Sequence, residues 1–227
     1  MPGNPKYDDT WLVIPLYNEA AVIGDVIRGA QHKFKHIVCV DDGSRDGSAR
    51  IAADAGAVVV QHPFNLGQGA ALQTGIEFAC RQPGMKYLVT FDADGQHRVE
   101  DAAAMVDEAR DQDVAIIFGS RFLGGASPVG WSKRAVLKTA AGVTRWKTGL
   151  NLTDAHNGLR LLRRDAAERV ALKQDRMAHA SEIVSQLAAT ELPWAERPVT
   201  IDYTEYSKAK GQSLLNSVNI LVDLVMR

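Results

Sequence analysis

At 227 residues the chain is long enough for one large α/β domain or two small ones, and 46% hydrophobic with 23% charged residues is ordinary for a folded soluble protein. A net charge of −1 argues against a general nucleic-acid binder. The two cysteines, Cys39 and Cys80, have no metal-ligand or redox spacing, the start from Met1 to Asp9 holds no apolar signal region, and no run of about 18 apolar residues is present to span a bilayer.

Taken in order, Trp11-Leu-Val-Ile-Pro15 is a short apolar run ended by proline and predicts the first strand. Tyr17-Asn18-Glu19 follows, then a helical pattern with Ala21, Val22, Val26 and Ile27 on one side. His36 to Val40 reads as a second strand closing in Asp41-Asp42-Gly43-Ser44. A helix from about Gly47 to Ala55 leads to a third strand, Ala57 to Val60. The loop His62-Pro-Phe-Asn-Leu-Gly-Gln-Gly69 opens a helix carrying Ala71, Leu72, Ile76 and Phe78. Tyr87 to Phe91 is a fourth strand, stopped by Asp92-Ala93-Asp94-Gly95-Gln96-His97. A helix over Val99 to Arg110 and a fifth strand, Val114 to Gly119, complete five strands alternating with four helices. That alternation predicts a mostly parallel sheet with helices on both faces, with ligands outside the carboxyl ends of its strands.

The chain then changes character. From Val114 to Thr153 there is no Asp or Glu, but Arg121, Lys133, Arg134, Lys138, Arg145 and Lys147 are basic. Gly124 to Pro128 reads as a hinge before a helix near Trp131 to Trp146, whose lysines, arginines and tryptophans suit anionic headgroups. Asp154-Ala-His-Asn-Gly158 precedes a strand, Leu159 to Leu162, and Asp165 is placed to cap a short helix. A helix around Ala180 to Ala189 carries Glu182, and Trp194 to Tyr203 is strand-like. Ser207 to Ser213 is a basic loop, and Leu214 to Met226 forms a last amphipathic helix, for packing on its own domain or docking to a membrane or an integral partner.

Strand alternation puts Asp92 and Asp94 on one side, where two hard carboxylates suit Mg²⁺ or Mn²⁺. A solvated Asp-rich turn is the plainer alternative. Asp41 and Asp42 can accept from a base N–H or from ribose hydroxyls, or can simply form a turn. Asn65-Leu-Gly-Gln-Gly69 lacks the Lys and Ser/Thr of a P-loop and reads better as a tight turn packing a helix. His97 and His156 are read as hydrogen-bonding residues and left out of the metal shell.

Together, Ile14-Pro-Leu-Tyr-Asn-Glu19, Val40-Asp-Asp-Gly-Ser44, Asn65-Leu-Gly-Gln-Gly-Ala70, Phe91-Asp-Ala-Asp-Gly-Gln96 and Gly119-Ser-Arg121 resemble, in order, the motifs of family 2 glycosyltransferases of the GT-A fold, and among them the polyprenyl-phosphate glycosyltransferases. The resemblance implies a single GT-A domain over residues 1–227, its nucleotide-sugar half at 1–125 and its acceptor half at 126–227. It implies metal-dependent, inverting transfer from a nucleotide-sugar to a polyprenyl phosphate, on the cytoplasmic face of a membrane, with a small integral membrane protein as a potential partner. Pro15, Tyr17, Glu19, Asp41, Asp42, Asp92 and Ala93 would bind the nucleotide-sugar. Asp92, Asp94 and Gln96 would hold the metal. Arg121 and Arg134 would hold phosphates, and Asp94, Arg121 and Asp154 would serve the reaction. In the basic loop, Lys208 or Lys210 stands in for the family's Arg, and Leu214 for a family Lys.

A phosphate acceptor is already anionic and needs no general base, whereas a sugar hydroxyl does, with Asp154 and Glu182 as candidates. Three other readings stay open: a soluble transferase acting on a saccharide, a sugar nucleotidyltransferase, and a nucleotide-sugar-binding module without turnover.

Overall fold

The computed structural model describes residues 6–123, 149–174 and 178–202. In chain order these form β1 (Tyr7–Leu16), α1 (Ile23–Gln31), β2 (Phe34–Asp41), α2 (Ser48–Asp54), β3 (Val58–Gln61), α3 (Gln68–Cys80), β4 (Tyr87–Thr90), α4 (Val99–Gln112), β5 (Ile116–Ser120), β6 (Arg160–Arg163), α5 (Arg164–Ala167), α6 (Ala178–Ala188) and β7 (Trp194–Pro198). The expected basic helix near Trp131 to Trp146, the basic loop and the last helix lie outside the described residues.

One seven-stranded sheet runs β3-β2-β1-β4-β6-β5-β7. All its pairs are parallel except those of β6, which lies antiparallel to both β4 and β5. Strand order reverses at β1, between β2 and β4, so a crevice opens beyond the carboxyl ends there.

Period-two alternation divides the core. Leu12, Ile14 and Leu16 of β1 face one layer, packed with Ile23 and Ile27 of α1, Ala52 of α2, and Met105 and Val106 of α4. Trp11 and Val13 face the other, packed with Leu72 and Ile76 of α3, Ala166 of α5, and Ile183 and Val184 of α6. Each fully buried Leu, Ile or Val on these faces contributes roughly 1.5–3 kcal/mol.

Three details differ from the sequence expectations. The first strand starts at Tyr7, inside the segment read as a polar start. Tyr7 is buried, its ring stacks on Phe34 at 5.2 Å, and its hydroxyl donates to Asp107 at 2.9 Å, so one aromatic anchor carries the strand through two aspartates. The buried face of α1 is Ile23, Ile27 and Ala30, while Ala21 precedes the helix and is exposed. Asp165 lies in the first turn of α5, with Arg163 at the cap position, and its carboxylate accepts from Arg163 at 2.9 Å and from Ala166 N at 3.0 Å.

Candidate active site

Four strands end around the crevice. After β1 the chain turns at Asn18, whose φ of 53° is in the left-handed region that Asn tolerates. This turn is tied to the one after β2 by side chains. Ser44 Oγ accepts from Asn18 N at 2.9 Å, Ser48 Oγ from Glu19 N at 2.8 Å, and Asp46 Oδ2 from Ala20 N at 3.0 Å. Asn18 Oδ1 accepts in return from Arg45 N at 3.0 Å. Four bonds therefore fix the position of Tyr17 and Glu19 relative to Asp42.

Between these turns lies a cavity of about 510 Å³, lined by Pro15, Tyr17, Glu19, Asp42, Asn65, Gly67, Asp92, Ala93 and Asp94 among others. That volume falls in the range of small-molecule sites. Of the expected nucleotide-sugar residues, only Asp41 is not in the lining. It is the last residue of β2, and its Oδ1 accepts from Ser44 N at 3.3 Å, so it shapes the turn. Gln96 is not in the lining either; its backbone N–H donates to Asp94 Oδ1 at 3.0 Å and its carbonyl accepts from Asp202 N.

Asp92 and Asp94 follow β4, where Phe91 N extends the parallel ladder to Val13 O at 2.9 Å. Asp92 Oδ2 bonds His97 Nε2 at 2.8 Å, and a third of the Asp92 side chain remains open. A Cβ on Gly158 would stand 2.6 Å from Asp92 Oδ2, so glycine lets the carboxylate lie against the backbone there. Burial pushes the Asp92 carboxyl up, but His97 and the buried Arg160 pull it down, and the net direction is below the usual carboxylate range. Asp94 goes the other way. Burial, the Asp92 charge and, more weakly, Glu19 push it up to about 6.

Among the described residues no three His, Cys, Asp or Glu side chains converge to hold a metal ion. Mg²⁺-type sites take one or two carboxylates and complete their shell with water and substrate phosphates. Asp94, raised by a neighbouring carboxylate, has the uncompensated negative charge that such a cation relieves, so the donor set fits one.

Arg121 and Asp154 meet elsewhere, and neither lines the cavity. The guanidinium grips the carboxylate with two bonds, Nε to Oδ2 at 2.6 Å and an Nη to Oδ1 at 2.7 Å, and Arg121 N adds a third at 3.1 Å. Asp154 is almost wholly buried. Burial raises its carboxyl, but Arg121 outweighs that and holds it below the ordinary range. A carboxylate already accepting three charge-assisted or backbone bonds is a weak base, so this geometry does not favour Asp154 as a proton acceptor. The Glu182 carboxylate likewise accepts from Lys173 N, Gln174 N and Gln186 Nε2. Arg134, Lys208 and Lys210 lie outside the described residues.

Sequence reasoning missed His62, whose Nδ1 is 2.8 Å from Asp42 Oδ1, and Arg160, buried beside Asp92 and lowered by burial to about 10. A buried polar residue leaves no periodicity signal, so only spatial proximity exposes both. His97 was singled out and bonds Asp92, as a hydrogen-bonding residue.

Comparison with known proteins agrees with this geometry. Residues 11–171 match the family model for glycosyl transferase family 2. The chain is 32% identical to polyprenol monophosphomannose synthase of Mycolicibacterium smegmatis, over 93% of this chain and 82% of that one. It is 28% identical to the UDP-N-acetylglucosamine–dolichyl-phosphate N-acetylglucosaminyltransferase of Methanococcus voltae, over 95% and 94%. Glucosyl-3-phosphoglycerate synthase from Mycobacterium tuberculosis, crystallised with Mn²⁺, UDP and phosphoglyceric acid, superposes with a TM-score of 0.69 at 13% identity, over 96% of this chain and 78% of that one. The fold is GT-A, and the chain belongs to glycosyl transferase family 2.

Proposed function

We propose that this glycosyltransferase moves a sugar from a nucleoside-diphosphate sugar to a polyprenyl phosphate at a membrane surface, with inversion and with Mg²⁺ or Mn²⁺. The observation that carries the reading is the convergence of Asp42, Asp92 and Asp94, from two distant strand ends, in one cavity. Two relatives named for polyprenyl- or dolichyl-phosphate acceptors support the choice of acceptor.

In this reading Asp42 accepts from the nucleoside, and Pro15, Tyr17 and Glu19 wall the nucleotide. Asp94 with Asp92 would hold the cation, with Gln96 turning the Asp94 carboxylate through its backbone N–H. The bound cation supplies charge neutralisation for the departing diphosphate. One displacement balances the reaction: an acceptor phosphate oxygen bonds to the sugar anomeric carbon as its bond to the nucleotide oxygen breaks. The acceptor brings its own negative charge, so no base is needed, which agrees with Asp154 being occupied by Arg121. Arg121, with Arg134 and Lys208 or Lys210, would meet the acceptor phosphate, and the basic segment and last helix would meet the membrane or a small integral partner. Among the described residues no helix is long and apolar enough to cross a membrane.

The test is to incubate the full chain with UDP- and GDP-sugars, Mn²⁺ and polyprenyl phosphate in vesicles, and to extract the lipid. The expected product is a glycosylated lipid phosphate with one nucleoside diphosphate released per transfer. Transfer solely to free saccharides or to small phosphorylated acids overturns the choice of acceptor.

A further inference from the structure

Asp42 is held by the segment that follows β3. After β3 the chain runs from His62 to Gly67 around the end of β2, and Gly43 lets it pass close: a Cβ there would meet Asn65 N at 2.9 Å. Leu66 N donates to Asp42 Oδ1 at 2.9 Å and Gly67 N to Oδ2 at 2.8 Å. His62 Nδ1 is the third partner, at 2.8 Å from Oδ1. Both side chains of this pair are shielded, with 9% of His62 and 4% of Asp42 exposed. The far side of the ring is anchored as well, since His62 Nε2 lies 3.0 Å from Thr74 Oγ1 on α3.

Lone-pair counting gives this arrangement a direction. Each carboxylate oxygen accepts about two bonds. Oδ1 is filled by His62 and Leu66, and Oδ2 has one bond, from Gly67. A further donor arriving through the cavity therefore meets Oδ2. An ionised carboxylate donates nothing, so the shared proton belongs on His62 Nδ1, while Nε2 pairs with the Thr74 hydroxyl. His62 does not line the cavity.

We propose that His62 is a positioning residue of the nucleoside site: anchored by Thr74, it fixes the rotation of Asp42 so that Oδ2 faces the nucleoside. The inference rests on the reading that Asp42 meets the donor's nucleoside. It makes donor specificity depend on a contact one residue away from the ligand, and on α3 as the platform for that contact.

The experiment titrates UDP, GDP, CDP and ADP with Mn²⁺ into the full chain by calorimetry, then measures donor KM and kcat. A charged hydrogen bond corresponds to about 10- to 100-fold in affinity. For the diphosphate that the unaltered protein binds most tightly, His62→Leu is expected to weaken binding about tenfold, with the loss falling on donor KM more than on kcat. His62→Asn restores an N–H near the Nδ1 position and is expected to recover most of that loss. Thr74→Val, close to isosteric, is expected to weaken binding about threefold. If His62→Leu does not fold, Thr74→Val decides: unchanged affinity overturns the inference. His62→Asn as weak as His62→Leu also overturns it. Asp42→Asn separates the two levels. If it weakens binding while folded His62→Leu does not, only the positioning role falls. If Asp42→Asn binds as the unaltered protein does, or none of the four diphosphates binds, the nucleoside reading falls and this inference with it.

Discussion

Asp94 and Asp154 are both withdrawn from water, and their neighbours drive them in opposite directions. Burial raises both carboxyls. Asp94 then meets more negative charge, from Asp92 and Glu19, and rises to about 6. Asp154 meets the Arg121 guanidinium and falls below the ordinary range. One region keeps a charge deficit for something that arrives; the other closes its own account within the fold. Excess negative charge thus marks the part of the sheet edge suited to a cation, and a bidentate pair marks a carboxylate whose charge is already matched within the fold.

The sharpest way to break this contrast is Asp94→Asn. Removing a group that stabilises developing charge costs about 10²–10³-fold in rate, so transfer is expected to fall by at least that much. Stability should move the other way. A folded-state pKa raised above the unfolded value of 3.8 means that ionisation disfavours the fold, so this contribution is present at low pH and lost as pH rises through about 6. Asp94→Asn removes the penalty, and the metal-free protein should gain roughly 1–2 kcal/mol at pH 7. Calorimetric melting at pH 5 and pH 7.5 checks it: the variant's advantage should be largest at the higher pH and shrink at the lower, disappearing only below the unfolded value of 3.8. An advantage that is equal at both, or absent, would mean that the charge at Asp94 is already compensated.

Asp154→Asn is the reciprocal change. Breaking a buried pair strands its partner and costs about 3–5 kcal/mol, so the melting temperature is expected to fall by roughly 10 °C. The sign follows from a depressed pKa: the stabilisation is fully present above the unfolded value and is lost as pH falls through the folded one, so at pH 7 all of it is at stake. An unchanged melting temperature with abolished transfer would instead make Asp154 a reacting group, and the two regions would no longer differ in kind.

How much of this could be read from the chain follows the same division. The strands and helices before residue 120 were legible because apolar runs and 3.6-residue periods report directly on burial, as in Trp11–Pro15 and Val99–Arg110. The short β-rich run of β6 was legible too, but its antiparallel place between β4 and β5 was not, since a run of apolar residues carries no partner or direction. Asp42, Asp92 and Asp94 were legible as strand-end acids. What each carboxylate does was not, because that depends on residues remote in sequence: Arg121 for Asp154, 33 positions away, and His62 for Asp42, 20 positions away. The polar start was misread because Tyr7 alone, among charged neighbours, carries the burial signal that Phe34 and Asp107 complete.

The smallest expected effect lies in the clamp between the first two turns, and it separates rigidity from charge on the side of the crevice that carries Tyr17 and Glu19. Asp46 is exposed, yet its carboxylate accepts from Ala20 N and from both Ser48 N and Ser48 Oγ. Burial raises its carboxyl, but these bonds together outweigh that and hold it below the ordinary range. Asp46→Ala removes them without touching the cavity. An ordinary intramolecular bond contributes about 0.5–1.5 kcal/mol, and water can replace part of it at an exposed site, so stability should drop by no more than about 1 kcal/mol. The turn carrying Tyr17 and Glu19 would then keep its bonds to Ser44, Ser48 and Asn18, and donor KM is expected to rise about two- to fivefold with kcat nearly unchanged. Because the Asp46 pKa is depressed, its clamp holds above the unfolded value and loosens as pH falls through the folded one; the KM difference between variant and parent should therefore persist throughout the neutral range. A fall in kcat equal to the rise in KM would mean that the clamp acts in the transition state as well, and that rigidity on this side serves the chemistry rather than binding alone.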